Sequence, residues 1–186
     1  EVSPSSATLA VQEVAQFTAT ARDAHGNAVP GTVVWSLAEG ATPIPLIPPK
    51  QPEFLTSAVG SIDPDGVFAA GTVAGLFADA VKASLQTGAG ELVASASVTV
   101  EPGPVSSVVV EPAAVTVDIG AAQAFTFTAY DEFGNGISDV LSSWSAQPDV
   151  GVIDATGIFS AETKAGVFPA AIGVAVVKGT AGARST

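Results

Sequence analysis

The chain has 186 residues, enough for two domains of ordinary size that each bury a core. It carries 18 Asp and Glu against 6 Lys and Arg, with 10 acids and 3 bases in residues 1–104 and 8 acids and 3 bases in 105–186, so the formal charge of −12 is shared and neither half has a basic cluster. That balance speaks against nucleic acid and anionic membrane surfaces as partners, and no apolar run reaches the roughly 18 residues that direct membrane insertion needs.

Helix periodicity is nearly missing. Apolar residues alternate, Val, Thr, Ala and Phe dominate the segments, and Gly, Pro and Asp punctuate them. That pattern predicts an all-β chain of short strands. In the first half strands are predicted near 7–11, 14–22, 32–38, 59–62, 66–70, 77–85 and 92–100. Within 14–22, Ala15, Phe17, Ala19 and Ala21 fall on one face and Gln16, Thr18, Thr20 and Arg22 on the other, as in a sheet wet on one side. In the second half strands are predicted near 107–118 (broken by Pro112), 123–130, 139–146, 150–153, 157–161 and 168–177. The link between halves is Glu101-Pro-Gly-Pro-Val105, whose prolines restrict the backbone and remove two donors, so neither sheet continues through it.

The halves are copies. At an offset of 108, residues 2–29 match 110–137 at 10 of 28 positions. At an offset of 91, residues 60–77 match 151–168 at 10 of 18. Repetition at about 100 residues marks an array of small domains. The predicted boundaries are 1–102, with a Pro-rich insertion at 36–59, and 103–186, C-terminally incomplete. Trp35 and Trp144 follow the two Gly-Asn pairs by 8 and 9 residues, and each is expected to fill the centre of its sandwich. The expected core is Phe17, Trp35 and Phe68 in the first copy and Phe125, Trp144 and Phe159 in the second.

Two departures frame the repeat. The second copy enters through Val105-Ser-Ser-Val-Val-Val110 ahead of Pro112 where the first has only Glu1-Val2-Ser3 before Pro4; the first leaves through Ala94-Ser-Ala-Ser-Val-Thr-Val100 where the second stops at Arg184-Ser-Thr186. The expectation is that the start of the first strand and most of the last strand are missing. Either further modules continue on both sides of a trimmed fragment, or a neighbouring subunit donates the strand.

The run Pro4 to Phe17-Thr-Ala-Thr-Ala-x-Asp23-x-x-Gly-Asn27, then Trp35-Ser, then Gly60-x-Ile-Asp63-x-x-Gly66-x-Phe-x-Ala70, resembles bacterial immunoglobulin-like repeat domains. The second copy carries the same run: Phe125-Thr-x-Thr-Ala-x-Asp131-x-x-Gly-Asn135, Trp144-Ser and Gly151-x-Ile-Asp154-x-x-Gly157-x-Phe-x-Ala161. Such modules build invasin- and intimin-type adhesins and many surface-layer and secreted proteins. The resemblance implies two tandem immunoglobulin-like antiparallel β-sandwiches, extracellular display and tandem arrays. It implies no fixed site, because the fold hosts many binding roles.

Candidate chemistry is sparse. Asp23-x-x-Gly-Asn27 and its copy read as turns in which the carboxylate caps the turn's own amides. Calcium is the minority reading, and its weak candidates are Asp63, Asp65 and Glu101: Asp63 recurs as Asp154, but Asp65 becomes Thr156. His25 is the single histidine, in a turn slot filled by Phe133 in the second copy, and Cys is absent. The usual zinc ligand sets and a Ser–His–Asp arrangement therefore find no support. Counting acids leaves paired glycosidase carboxylates open, yet the acids fall in repeated turns with no insertion that builds a cleft around them.

The insertion is the one segment the repeat does not explain. Between Trp35 and Gly60 lie 24 residues, against 6 between Trp144 and Gly151. Its stretch 41–55 has five prolines and the apolar residues Ile44, Leu46, Ile47, Phe54 and Leu55. It reads as a flap packed on its own sandwich, or as an interface with a subunit or ligand.

The chain is thus expected to be a non-catalytic extracellular module, a spacer or stalk segment without a cofactor. Its expected partners are neighbouring modules or identical subunits, with a surface protein or glycan as a candidate ligand. The alternatives are a filament or layer subunit assembled by strand donation and the flap, or an accessory carbohydrate- or protein-binding module of a secreted enzyme.

Overall fold

The computed structural model describes residues 1–38, 59–88 and 90–179. Their regular elements are all β-strands. They separate into two compact units, Glu1–Gly103 with Phe133–Asn135, and Pro104–Glu132 with Gly136–Thr186. Each unit is an antiparallel β-sandwich of the immunoglobulin-like type.

The first unit contains β1 (Val2–Ser3), β2 (Ser6–Ala10), β3 (Val14–Gln16), β4 (Thr18–Ala19), β5 (Val33–Leu37), β6 (Gly60–Ile62), β7 (Val67–Ala70), β8 (Gly75–Thr87) and β9 (Gly90–Glu101). One layer has the order β2-β9-β8-β5; the other is made of β3-β7-β6 and the pair β1-β4. The strand expected over 14–22 is two strands, because the chain changes partners at Phe17. Before Phe17, β3 pairs with β7, and after it β4 pairs with β1. At the change, the Phe17 N–H donates to the Gly66 carbonyl at 2.8 Å and the ring is fully buried. Its edge meets Phe68 with centroids 6.2 Å apart at 88°. Trp35 packs half-buried against this cluster. The alternation read for 15–22 is the alternation seen: Ala15, Ala19 and Ala21 are half-buried while Gln16, Thr18, Thr20 and Arg22 are exposed.

Two features depart from a regular antiparallel ladder. β2 runs parallel to β9, with Ser6 opposite Ser97 and Ala10 opposite Glu101. β8 carries a bulge between Phe77 and Val81, with Asp79 at φ 50°. The bulge turns Ala80 and Val81 inward together, and both are fully buried. The Asp79 N–H donates to Ser97 Oγ at 3.1 Å, and Asp79 Oδ1 accepts from Ser95 Oγ at 2.7 Å. The unit also includes Asn135, whose Oδ1 accepts from Ala74 N–H at 2.9 Å and whose Nδ2 donates to the Thr72 carbonyl at 2.8 Å.

The second unit contains β10 (Ser107–Glu111), β11 (Ala122–Ala124), β12 (Thr126–Tyr130), β13 (Gly136–Ile137), β14 (Val140–Ala146), β15 (Gly151–Ile153), β16 (Ile158–Ala161) and β17 (Ile172–Lys178). Its sheets are β10-β12-β13, β11-β16-β15 and the pair β14-β17. The change of partner recurs at Phe125, whose N–H donates to the Gly157 carbonyl at 2.8 Å. Phe125 meets Phe159 edge to face at 6.4 Å, and Trp144 meets Phe127 at 5.8 Å. Trp144 is half-buried, like Trp35.

Two predicted strands are shorter than the pattern suggested. That expected over 107–118 ends at Glu111, ahead of Pro112. That expected over 168–177 begins at Ile172, just after Ala170 at φ 52°, which aligns with the bulge residue Asp79. Among the described residues, the second unit has no strand equivalent to β9.

Candidate functional site

The repeated Asp turns are the most organised polar groups. Asp23 follows β4, and its Oδ1 accepts from the N–H groups of His25 (2.8 Å) and Asn27 (2.9 Å). Asn27 Nδ2 donates to Asp23 Oδ2 at 3.0 Å. The turn needs a left-handed residue, and Gly26 supplies it at φ 85°. Asn27's side-chain amide, then its backbone N–H, holds the exposed Asp23 carboxyl below the ordinary carboxylate range. In the second copy Asp131 and Asn135 are buried.

Asp63 and Asp154 build the second kind of turn. Asp63 Oδ1 accepts from the N–H groups of Asp65 (3.0 Å) and Val67 (2.9 Å). Asp154 Oδ1 accepts from Thr156 Oγ1 at 2.6 Å and from the N–H groups of Thr156 and Ile158 at 2.8 and 3.1 Å. The Thr156 hydroxyl, then the Ile158 amide, lowers the Asp154 pKa. Thr156 thus puts a donor where Asp65 carries a second acid, and the turn geometry is kept without that charge.

These contacts place the calcium candidates. One oxygen of Asp63 serves the turn, the Asp65 carbonyl accepts from Gln16 Nε2 at 2.8 Å, and Glu101 lies exposed at the end of β9, where its carbonyl accepts from Val11 N–H at 3.0 Å. Among the described residues, no three His, Cys, Asp or Glu side chains converge as a metal would require. His25 is exposed, and its backbone N–H serves the Asp23 turn. The flap candidates Ile44, Leu46, Ile47, Phe54 and Leu55 lie outside the described residues.

Three features had not been read from the sequence. The first is the parallel β2–β9 pair. The second is the Asp79–Ser95–Ser97 cluster; the signal was there, since Asp79 interrupts the alternation of Phe77-Ala-Asp-Ala-Val81. The third is a shallow groove of about 250 Å³ in the first unit, lined among others by Glu1, Arg22, Val33, Leu85, Leu92 and Val93. Arg22 Nη1 donates to the Gly26 carbonyl at 2.8 Å, so its charge serves the neighbouring turn. The groove brings no nucleophile and base together.

No helix among the described residues is long and apolar enough to cross a membrane. No family model matches the chain, and no curated protein matches it. Solved structures do. The EC1-2 fragment of human protocadherin-24 is 14% identical, with 86% of this chain and 74% of that one covered and a TM-score of 0.41. The surface layer protein SbsC, domains 1-6, is 18% identical, with 89% and 20% covered and a TM-score of 0.27.

Proposed function

We propose that the chain is a non-catalytic extracellular module of the bacterial immunoglobulin-like kind, a spacer or stalk segment of a cell-surface or secreted repeat protein. Its task is to bear tension between neighbouring modules. The observation that carries this reading is the parallel β2–β9 pair. β2 lies near the start of the first unit and β9 at its end. A pull on those two ends drags β2 and β9 past one another along their length. All their hydrogen bonds then bear the force together; an antiparallel hairpin pulled at its open end would lose them one by one.

The rest of the molecule supports a passive role. The turn carboxylates spend their oxygens on their own turns, and among the described residues no three acids converge. The acidic charge and the resemblance to surface repeat modules favour extracellular display.

The test is single-molecule pulling on the whole chain between fixed handles. One unfolding event should show high force. Val11→Pro, which removes the N–H that bonds the Glu101 carbonyl, should lower that force; Asp23→Ala, outside the sheared pair, should leave it unchanged. A first unit that opens at low force, or a Val11→Pro chain as strong as the parent, would refute the mechanical role.

A further inference from the structure

Two departures from the repeat fall in one groove of the first unit. The groove, of about 250 Å³, takes residues from both layers. In the four-stranded layer the cross-strand row Val33–Leu85–Leu92 forms an apolar floor, with Leu85 5% and Leu92 46% exposed. The other layer contributes Ala19 and Ala21, both half-buried. The exposed residues Arg22 and Glu1 add a guanidinium and a carboxylate.

At the offset of 108, Ala19 aligns with Phe127 and Arg22 with Tyr130. The second copy thus has a ring where the first has a methyl, and that ring packs on Trp144 at 5.8 Å. Ala19 is what leaves room for the groove. Arg22 is equally particular to the first copy. It leads into the Asp23 turn, yet the second copy carries the same Asp-x-x-Gly-Asn after Tyr130, with Gly134 at φ 83°, so the turn does not need a guanidinium. The Arg22 backbone is fixed by its bridge to Ala28 and by the 2.9 Å bond from Val29 N–H to the Ala21 carbonyl. Its side chain is anchored through Nη1 on the Gly26 carbonyl at 2.8 Å. That bond uses one of the guanidinium's N–H donors and neutralises no charge. Among the described residues no carboxylate forms an ion pair with Arg22, although residues 1–104 hold 10 acids against 3 bases.

We infer that this groove binds the C-terminus of a peptide that ends in a branched apolar residue. The terminal carboxylate pairs with Arg22, whose planar fork matches a carboxylate with two bonds. The last side chain lies on the row Val33–Leu85–Leu92, where Leu92 otherwise meets water. The Glu1 carboxylate takes the N–H groups that a peptide brings and a bare fatty or aromatic acid lacks, so the occupant is a peptide. The volume, below the roughly 300 Å³ at which drug-sized sites begin, admits one terminal residue and not a longer buried segment. The acidic surface repels carboxylates elsewhere, which confines recognition to the point where a cation stands beside apolar surface. This inference does not depend on the mechanical role, because it concerns a ligand and is read without force.

The test is an amide NMR titration of the whole chain with two probes, acetyl-alanyl-leucine as the free acid and the same dipeptide as its C-terminal amide. The acid should shift the resonances of residues 19–22, 85 and 92–94 and reach saturation. The amide should bind about tenfold more weakly, the loss expected for one charge-assisted pair. Added salt should weaken the acid and leave the amide unchanged. Arg22→Gln should abolish the difference between the probes. Ala19→Phe, which copies the second repeat, should abolish the binding of both. Equal affinities on the parent chain, no saturation by the acid, or shifts confined to other residues would overturn the inference, and these outcomes need no variant to fold. A preference for the acid that survives Arg22→Gln would overturn it as well.

Discussion

Gly66 and Gly26 hold nearly the same backbone, φ 82° and 85°, but stand in different surroundings. A Cβ at Gly26 would meet nothing within 4 Å, whereas one at Gly66 would lie 2.5 Å from the Phe17 carbonyl oxygen and 2.9 Å from Trp35 Cε2, against an ordinary contact of 3.4–4 Å. Alanine at either site incurs the left-handed penalty of about 1–2 kcal/mol, partly offset by about 0.4–1 kcal/mol from the stiffer unfolded chain. Gly26→Ala should therefore cost roughly 1 kcal/mol. At Gly66 the methyl must also push the Phe17 backbone away. That breaks the 2.8 Å bond from Phe17 N–H to the Gly66 carbonyl and moves a fully buried ring off Phe68. Losing one such bond costs about 1 kcal/mol and repacking adds about as much, so Gly66→Ala should cost roughly 3 kcal/mol. The assay is urea unfolding followed by Trp35 emission in a Trp144→Phe background, which isolates the first unit even where the two units unfold separately. Losses within about 0.5 kcal/mol of each other would refute the argument, because they would leave φ alone as the cause.

Other expectations follow from the same contacts. Phe17→Ala should cost the first unit about 3–5 kcal/mol by the same urea assay, since it empties the centre of the core where the strand changes sheets. Gln12, at φ 65°, aligns with Gly120 at φ 77°, so Gln12→Gly should stabilise the first unit by up to about 1 kcal/mol and raise its thermal midpoint. Asp23 and Asp154 have lowered pKa values in the fold, so the stability they add is present above about pH 4 and is lost as pH falls through the folded values. Asp154→Ala should flatten the acid side of the stability profile of the second unit. Asn27→Ala should bring the Asp23 pKa back toward its ordinary value in a carboxyl NMR titration, and an unmoved value would show that the side-chain amide is not the main cause.

Local chemistry made the strands and turns legible. Phe17 and Phe125 stood at inward positions of an alternating run, and Asp23-x-x-Gly-Asn27 carried turn residues whose preferences act within five positions. Long-range choices left weaker marks. Nothing between Val14 and Arg22 announces that the strand changes partners at Phe17. That outcome depends on the Gly66 carbonyl, which the Asp63 turn presents to Phe17 from 49 residues away. The parallel run of β2 beside β9 is likewise invisible locally, because alternation gives a strand's faces but not its direction or partner. The half-burial of Trp35 and Trp144 follows from their place near the Gly66 and Gly157 turns, where a ring can cover the layer without being enclosed by it. Of the candidate site, the turn carboxylates were readable because each is explained by amides two and four residues on.

The bulge in the central strand shows how one repeat reaches one shape by different means. Asp79 and Ala170 occupy the same position at φ 50° and 52°, and each bends the chain so that the next residues turn inward. In the first unit the bend is tied from the β9 side by Ser95 and Ser97. In the second, Gln147 ties it from the β14 side: its N–H donates to the Ala171 carbonyl at 2.8 Å and its Nε2 to the Pro169 carbonyl at 3.1 Å. Ala38 aligns with Gln147 and makes the equivalent backbone bond to Ala80, but it has no side chain to add. The second unit thus holds its positive-φ residue through the Gln147 side chain, where the first uses side chains of β9.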